Sequence, residues 1–199
     1  TTIGDTAVCL DTRTVEGKQA AFAKIHDLLH GLPDDRDVAR EMSGLCARSG
    51  IDEAAISREL CLSWDELKPF AGDPLVTIGA HTVSHCNLAK RSESQALQAI
   101  TVSRTRIEAV LQRPVVHFAY PYGDRSAAGP REFAMAKTAG FKTAVTTRPG
   151  MIFAGNAEHP TALPRISLNG NFQTTRILPV LTSGAATAMW NGFRRVDAS

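Results

Sequence analysis

Apolar positions in the first third of the chain recur at three- and four-residue intervals. Phe22, Ile25, Leu28 and Leu29 predict a helix over residues 16–30. Gly31 ends it and Pro33 forbids its continuation. Val38, Met42, Leu45 and Cys46 form the stripe of a second helix, 34–48, stopped by Ser49-Gly50. Asp52 caps a third, 53–60, and the Ser63/Glu66 capping box starts a fourth, 64–70. Ahead of these helices, Ala7-Val8-Cys9-Leu10 and the polar Asp11-Thr12-Arg13-Thr14 read as a short strand or hairpin arm.

At Asp73-Pro74 the pattern changes. The run Leu75–Ala80 predicts a buried strand that ends at His81. Residues 92–111 follow as a long helix, with Ala96, Ile100, Ile107, Val110 and Leu111 toward a core. A second strand, 114–119, enters the turn Tyr120-Pro121-Tyr122-Gly123-Asp124. Pro130 opens a helix through Lys137 that Gly140 closes. Strands at 141–146 and 163–168 and helices at 173–183 and 186–193 complete the reading. Alternating strands and helices predict a parallel α/β arrangement over 73–199, preceded by a mostly helical segment over 1–72. Ligands in such folds gather at the carboxyl ends of the strands, where His81, Tyr120–Tyr122 and Arg165 fall.

Composition narrows the classes. The chain has 199 residues, 43% of them hydrophobic, and a net charge of +2, with scattered rather than clustered basic residues. That gives no footprint for nucleic acid or an anionic membrane. No apolar run approaches the ~20 residues that span a bilayer. Cys9, Cys46, Cys61 and Cys86 lack CxxC spacing, and most of them read as buried, reduced thiols. Those thiols and the lack of a secretory signal at the start point to the cytoplasm, although a longer N-terminus would carry any such signal. On a helix Cys86 would point about 100° away from its neighbour His85, so it is a poor ligand beside it.

The chemistry concentrates in His81-Thr82-Val83-Ser84-His85. One helical turn places positions i and i+4 on one face, so both imidazoles can converge on a cation. His26 and His30 share this spacing, but without a supporting carboxylate pattern they read as a solvated helix face. An open metal site lowers the pKa of bound water from ~15.7 toward ~7 and suits amide or ester hydrolysis. The oxyanion needs donors in a rigid turn, and Pro121 has no N–H, so the Tyr122 amide is the natural one.

These two segments together, with Arg113-Pro114 and Phe118-Ala119 before the Tyr-Pro-Tyr-Gly turn, resemble the polysaccharide deacetylase (NodB-homology, carbohydrate esterase family 4) superfamily over about residues 73–170. The resemblance implies a distorted (β/α) barrel, here incomplete, and a divalent metal, most often zinc. It implies removal of N- or O-acetyl groups from a polysaccharide or amino sugar. His81 and His85 match the metal ligands, and Tyr122 matches the backbone oxyanion donor. Tyr120, Pro121 and Gly123 would contact substrate, and Arg165 is a further catalytic-site candidate.

The family's aspartate motif, a Thr-Phe-Asp-Asp-Gly-like strand end that supplies the base and third ligand, does not precede His81. Asp11 is the loosely similar position. Ala119 replaces a frequent Arg, and His159 is the candidate for the late catalytic acid. The expectation is a chain that begins after the first βα units, with 1–72 inserted ahead of the histidine strand. It predicts an open sheet, or an edge covered by a second copy, and weak metal binding. Two other readings stand beside this one. One is a non-catalytic, glycan-binding deacetylase-like protein. The other is a metal hydrolase of different lineage that uses Asp11 or Asp124 as third ligand.

Overall fold

The computed structural model describes residues 2–32, 34–168, 170 and 174–196. The chain divides into two compact units, Thr1–Leu67 and Lys68–Ser199. The division falls a few residues before the composition change at Asp73, because helix α4 (Trp64–Gly72) runs across it.

In the first unit, β1 (Thr2–Ile3) and β2 (Thr6–Ala7) form an antiparallel hairpin turned at Gly4, whose φ is +55°. Helix α1 (Val15–Gly31) starts at Thr14, which accepts the Gly17 amide at 3.0 Å. Helix α2 (Asp35–Arg48) is capped by Asp34, and α3 (Glu53–Leu60) by Asp52. Ser63 and Glu66 form both arms of the predicted box at the start of α4. Ile3, Ala21 and Leu29 are buried, whereas Phe22, expected in the core, is exposed and lies 5.9 Å from the His26 ring. Pro33 lies outside the described residues.

The second unit contains α5 (Glu93–Leu111), β3 (His117–Ala119), α6 (Pro130–Thr138), β4 (Thr143–Pro149), β5 (Leu163–Arg165), α7 (Ile177–Thr182) and α8 (Ala185–Trp190). Residue 173, the expected start of α7, is outside the described set. Strands β3, β4 and β5 form a parallel sheet in chain order, with a register irregularity between Val145 and Pro149. The anticipated barrel is therefore represented, among the described residues, by an open three-stranded sheet.

The predicted strand over 75–80 also contracts. Only Ala80 pairs, by a parallel bridge to Phe118, and Leu75 is 93% exposed. The bridge is nonetheless well made: the Ala80 amide donates to His117 O and the Ala119 amide to Ala80 O, each at 2.9 Å. Gly79 permits this approach, since a Cβ there would lie 3.0 Å from His117 O.

Helix α5 has a complete Ser92/Gln95 capping box and buries Ala96, Ile100 and Ser103 against the sheet core. Glu108 binds both the Val115 amide and Arg104, fixing the link into β3. Phe118, Tyr120, Phe133 and Phe141 meet at ring distances of 5.1–5.5 Å in the same core. No helix among the described residues is long and apolar enough to cross a membrane. Ile100 is fully buried. Ile100→Ala should therefore cost about 2–5 kcal/mol, read from denaturant unfolding.

Candidate active site

Two segments meet at the carboxyl end of β3. The first is residues 81–88, the second the turn 120–124. Tying residue 80 to β3 brings His81 directly over the strand end, where its Nδ1 lies 2.7 Å from Ala119 O. A carbonyl oxygen has no proton to give, so Nδ1 carries the hydrogen, and in the neutral ring Nε2 keeps its lone pair. In metal sites a contact of this kind orients the imidazole and fixes its tautomer.

The histidine spacing works by a different route from the helical one expected. Thr82 and His85 have φ values of 63° and 54°, and no helix forms at 81–87. Asn87 instead caps a short 3-10 turn, Leu88–Lys90, and α5 begins only at Glu93. The loop still places the His81 and His85 rings 4.8 Å apart, nearly perpendicular. Buried Cys86 and Leu88 anchor it. Arg131 holds its far end through Leu88 O at 2.8 Å and Arg91 O at 3.2 Å. Cys86 is thus a core residue and not a ligand candidate.

The turn is equally fixed. Tyr122 and Gly123 both have left-handed backbones, φ 62° and 65°. Thr147 binds both residues: its amide donates to Gly123 O at 2.9 Å, and its hydroxyl donates to Tyr122 O at 2.5 Å. The Gly123 amide donates to Pro121 O at 2.7 Å. In a trans peptide the N–H opposes the C=O, so the Tyr122 N–H points away from that bond. The exposed Tyr122 ring lies 5.0 Å from His85, which joins the turn to the histidine pair.

Several expected contacts have another role. Tyr120 is fully buried, and its hydroxyl donates to Thr161 O at 2.7 Å. Burial, and secondarily the charge of Glu132, pushes its pKa upward. Pro121 is also fully buried and Gly123 is buried, so these three residues build the turn.

The two third-ligand alternatives are committed locally. Both Asp11 oxygens face Arg13, at 2.7–3.1 Å, within the first unit. Asp124 Oδ1 accepts the Ser126 hydroxyl and the Ser126 and Ala127 amides. Asp34-Asp35, the adjacent aspartate pair that motif reading passes over, starts α2, where Asp34 accepts the Arg36 amide at 2.8 Å. His159 is exposed just before β5, at the amino end of the sheet, opposite the end that carries the histidine pair. Arg165 is the last residue of β5, exposed at the carboxyl end.

Among the described residues no cluster of three His, Cys, Asp or Glu side chains could hold a metal. The two imidazoles fit a divalent cation as part of a ligand set, with a tautomer suited to the task.

A family model for polysaccharide deacetylases matches residues 43–144, about half of the chain. The chain belongs to the polysaccharide deacetylase family. The match reaches back into α2, earlier than the two motifs alone suggest. No curated protein matches the chain. Among solved structures, the Streptococcus pyogenes deacetylase PplD, in complex with acetate, is similar at 22% identity and a TM-score of 0.54, over 60% of this chain and 50% of that one. BA0330 from Bacillus anthracis is similar at 22% identity and a TM-score of 0.51, over 62% of this chain and 36% of that one. The likeness is one of fold, and the chain spans half or less of these relatives' lengths.

Thr147 is the residue that motif reading misses. It has no motif of its own and acts only through the turn it holds.

A Cβ on Gly123 would lie 2.8 Å from the Thr147 amide nitrogen. Gly123→Ala should lower stability by at least about 1–2 kcal/mol, from the left-handed backbone alone, and shift the Tyr122 amide resonance in NMR spectra. The Asp124 carboxyl is held below its usual range, chiefly by the Ser126 hydroxyl. Its contribution to stability is therefore complete above ~pH 4 and is lost as pH falls through its lowered native pKa. Asp124→Asn should flatten the acid side of the stability profile while leaving zinc affinity unchanged in calorimetry.

Proposed function

We propose that this chain supplies the histidine arm and oxyanion turn of a metal-dependent hydrolase that removes acetyl groups from an amino sugar or polysaccharide. Family membership supports the reaction class. The observation that carries the reading is the union of His81, His85 and Tyr122 at one strand end, with His81 Nδ1 bound to Ala119 O.

When bound, a divalent cation polarises the acetyl carbonyl and acidifies water. His81 and His85 would hold that cation, His81 through Nε2. As water adds to the acetyl carbon, negative charge grows on its oxygen, and the Tyr122 N–H donates to that oxygen. Because Thr147 and Gly123 already fix the turn, no reorganisation is needed at that moment. The C–N or C–O bond then breaks to release acetate and the free sugar amine or hydroxyl. Among the described residues no third ligand stands beside this pair.

With only two neutral donors, the chain as given should bind zinc weakly in calorimetry. Joined to a Thr-Phe-Asp-Asp-Gly-like strand that supplies a third ligand and a base, it should release acetate from an acetylated chito-oligosaccharide. His81→Ala or His85→Ala should then reduce release at least about 100-fold, on the scale of losing a metal-site component. Full activity in both variants would refute the assignment. Sugar binding without acetate release would favour a non-catalytic glycan-binding protein.

A further inference from the structure

A cleft of about 400 Å³ opens at the carboxyl ends of β4 and β5, lined by Thr147, Pro149, Arg165, Ile166, Ser167 and Leu168. Thr147 places it beside the oxyanion turn, because the same residue binds Tyr122 O and Gly123 O. Its walls combine two hydroxyl side chains, two aliphatic ones and one guanidinium. Such a lining suits a sugar ring, with an apolar face and hydroxyl rim, carrying a negative group. Arg165 is exposed, and no carboxylate among the described residues pairs with it. From His159 to Val196 the sequence holds four arginines and no Asp or Glu. Several arginines elsewhere do have acidic partners, as with Arg13/Asp11, Arg104/Glu108 and Arg131/Glu132.

We infer that this cleft is a subsite for a glycan bearing an anionic substituent, a carboxylate or a phosphate, which Arg165 grips beside the acetylated sugar. The inference rests on the deacetylase reading of the neighbouring turn and makes Arg165 a specificity residue for it. A guanidinium presents paired donors that match both anions, and charge-assisted bonds of this type outweigh neutral ones.

The test titrates the full chain with three probes at low ionic strength: N-acetylmuramic acid, N-acetylglucosamine 6-phosphate and neutral di-N-acetylchitobiose. One or both anionic sugars should bind about tenfold tighter than the neutral one, and the tighter of them identifies the anion. Arg165→Gln should erase the preference, and Arg165→Lys should restore part of it. Equal affinity for all three probes, or a preference that survives in Arg165→Gln, overturns the subsite. Neither result touches the deacetylase reading, which a separate measurement of acetate release from the neutral glycan decides. If no probe binds, the subsite fails, and the deacetylase reading fails with it only if acetate release is also absent.

Discussion

The site depends on a short ladder between residue 80 and β3. Two backbone bonds, Ala80 N to His117 O and Ala119 N to Ala80 O, set the register of a segment that makes no other strand pairing among the described residues. The next residue, His81, then meets Ala119 O, so the same strand end that leads into the oxyanion turn also dictates which histidine nitrogen faces outward. A one-residue slip would turn His81 to the other face and separate these elements. Gly79 is part of that constraint, since only a residue without Cβ approaches His117 O comfortably.

Around this ladder the chain accepts unfavourable backbone. Thr82, His85 and Tyr122 all adopt the left-handed region that L-residues avoid. Their concentration in two facing segments matches the general tendency for strain to gather where function requires fixed groups. The surrounding contacts hold it in place: Arg131 at Leu88 and Arg91, Thr147 at Tyr122 and Gly123, and the buried Tyr120 hydroxyl at Thr161. The rigid frame and the strained loop are thus two sides of one design, in which core residues aim groups that lie at the surface.

Much of this was legible in the sequence, and the failures have physical causes. Helix starts were clear because caps are local: Asp52, Ser63 and Ser92 each bind the amides their spacing predicts. The strand at 75–80 was overread because an apolar run cannot say whether a neighbouring strand exists to pair with it; Leu75 is instead nearly fully exposed. The histidine pair comes together by a route other than the one its spacing predicts. Its spacing suggested a helical face, yet two left-handed residues bring the rings together in a loop. The tyrosines of the turn show the same limit. Tyr120 and Tyr122 both belong to the motif, but the left-handed backbone at Tyr122 turns its ring to the surface while Tyr120 stays in the core. Thr147 and the Ala119 carbonyl, which fix the two halves of the site, could not be read at all, because both act through long-range contacts.

The account stands on His81 presenting Nε2 while Nδ1–H is held by Ala119 O. Long-range proton–nitrogen NMR correlations on the histidine side chains test this directly. The expected spectrum shows His81 with a protonated Nδ1 and an unprotonated Nε2, and excess zinc moves the Nε2 signal of His81 together with the ring signals of His85. A His81 ring protonated at Nε2, or zinc shifts that leave both residues unchanged, would contradict it.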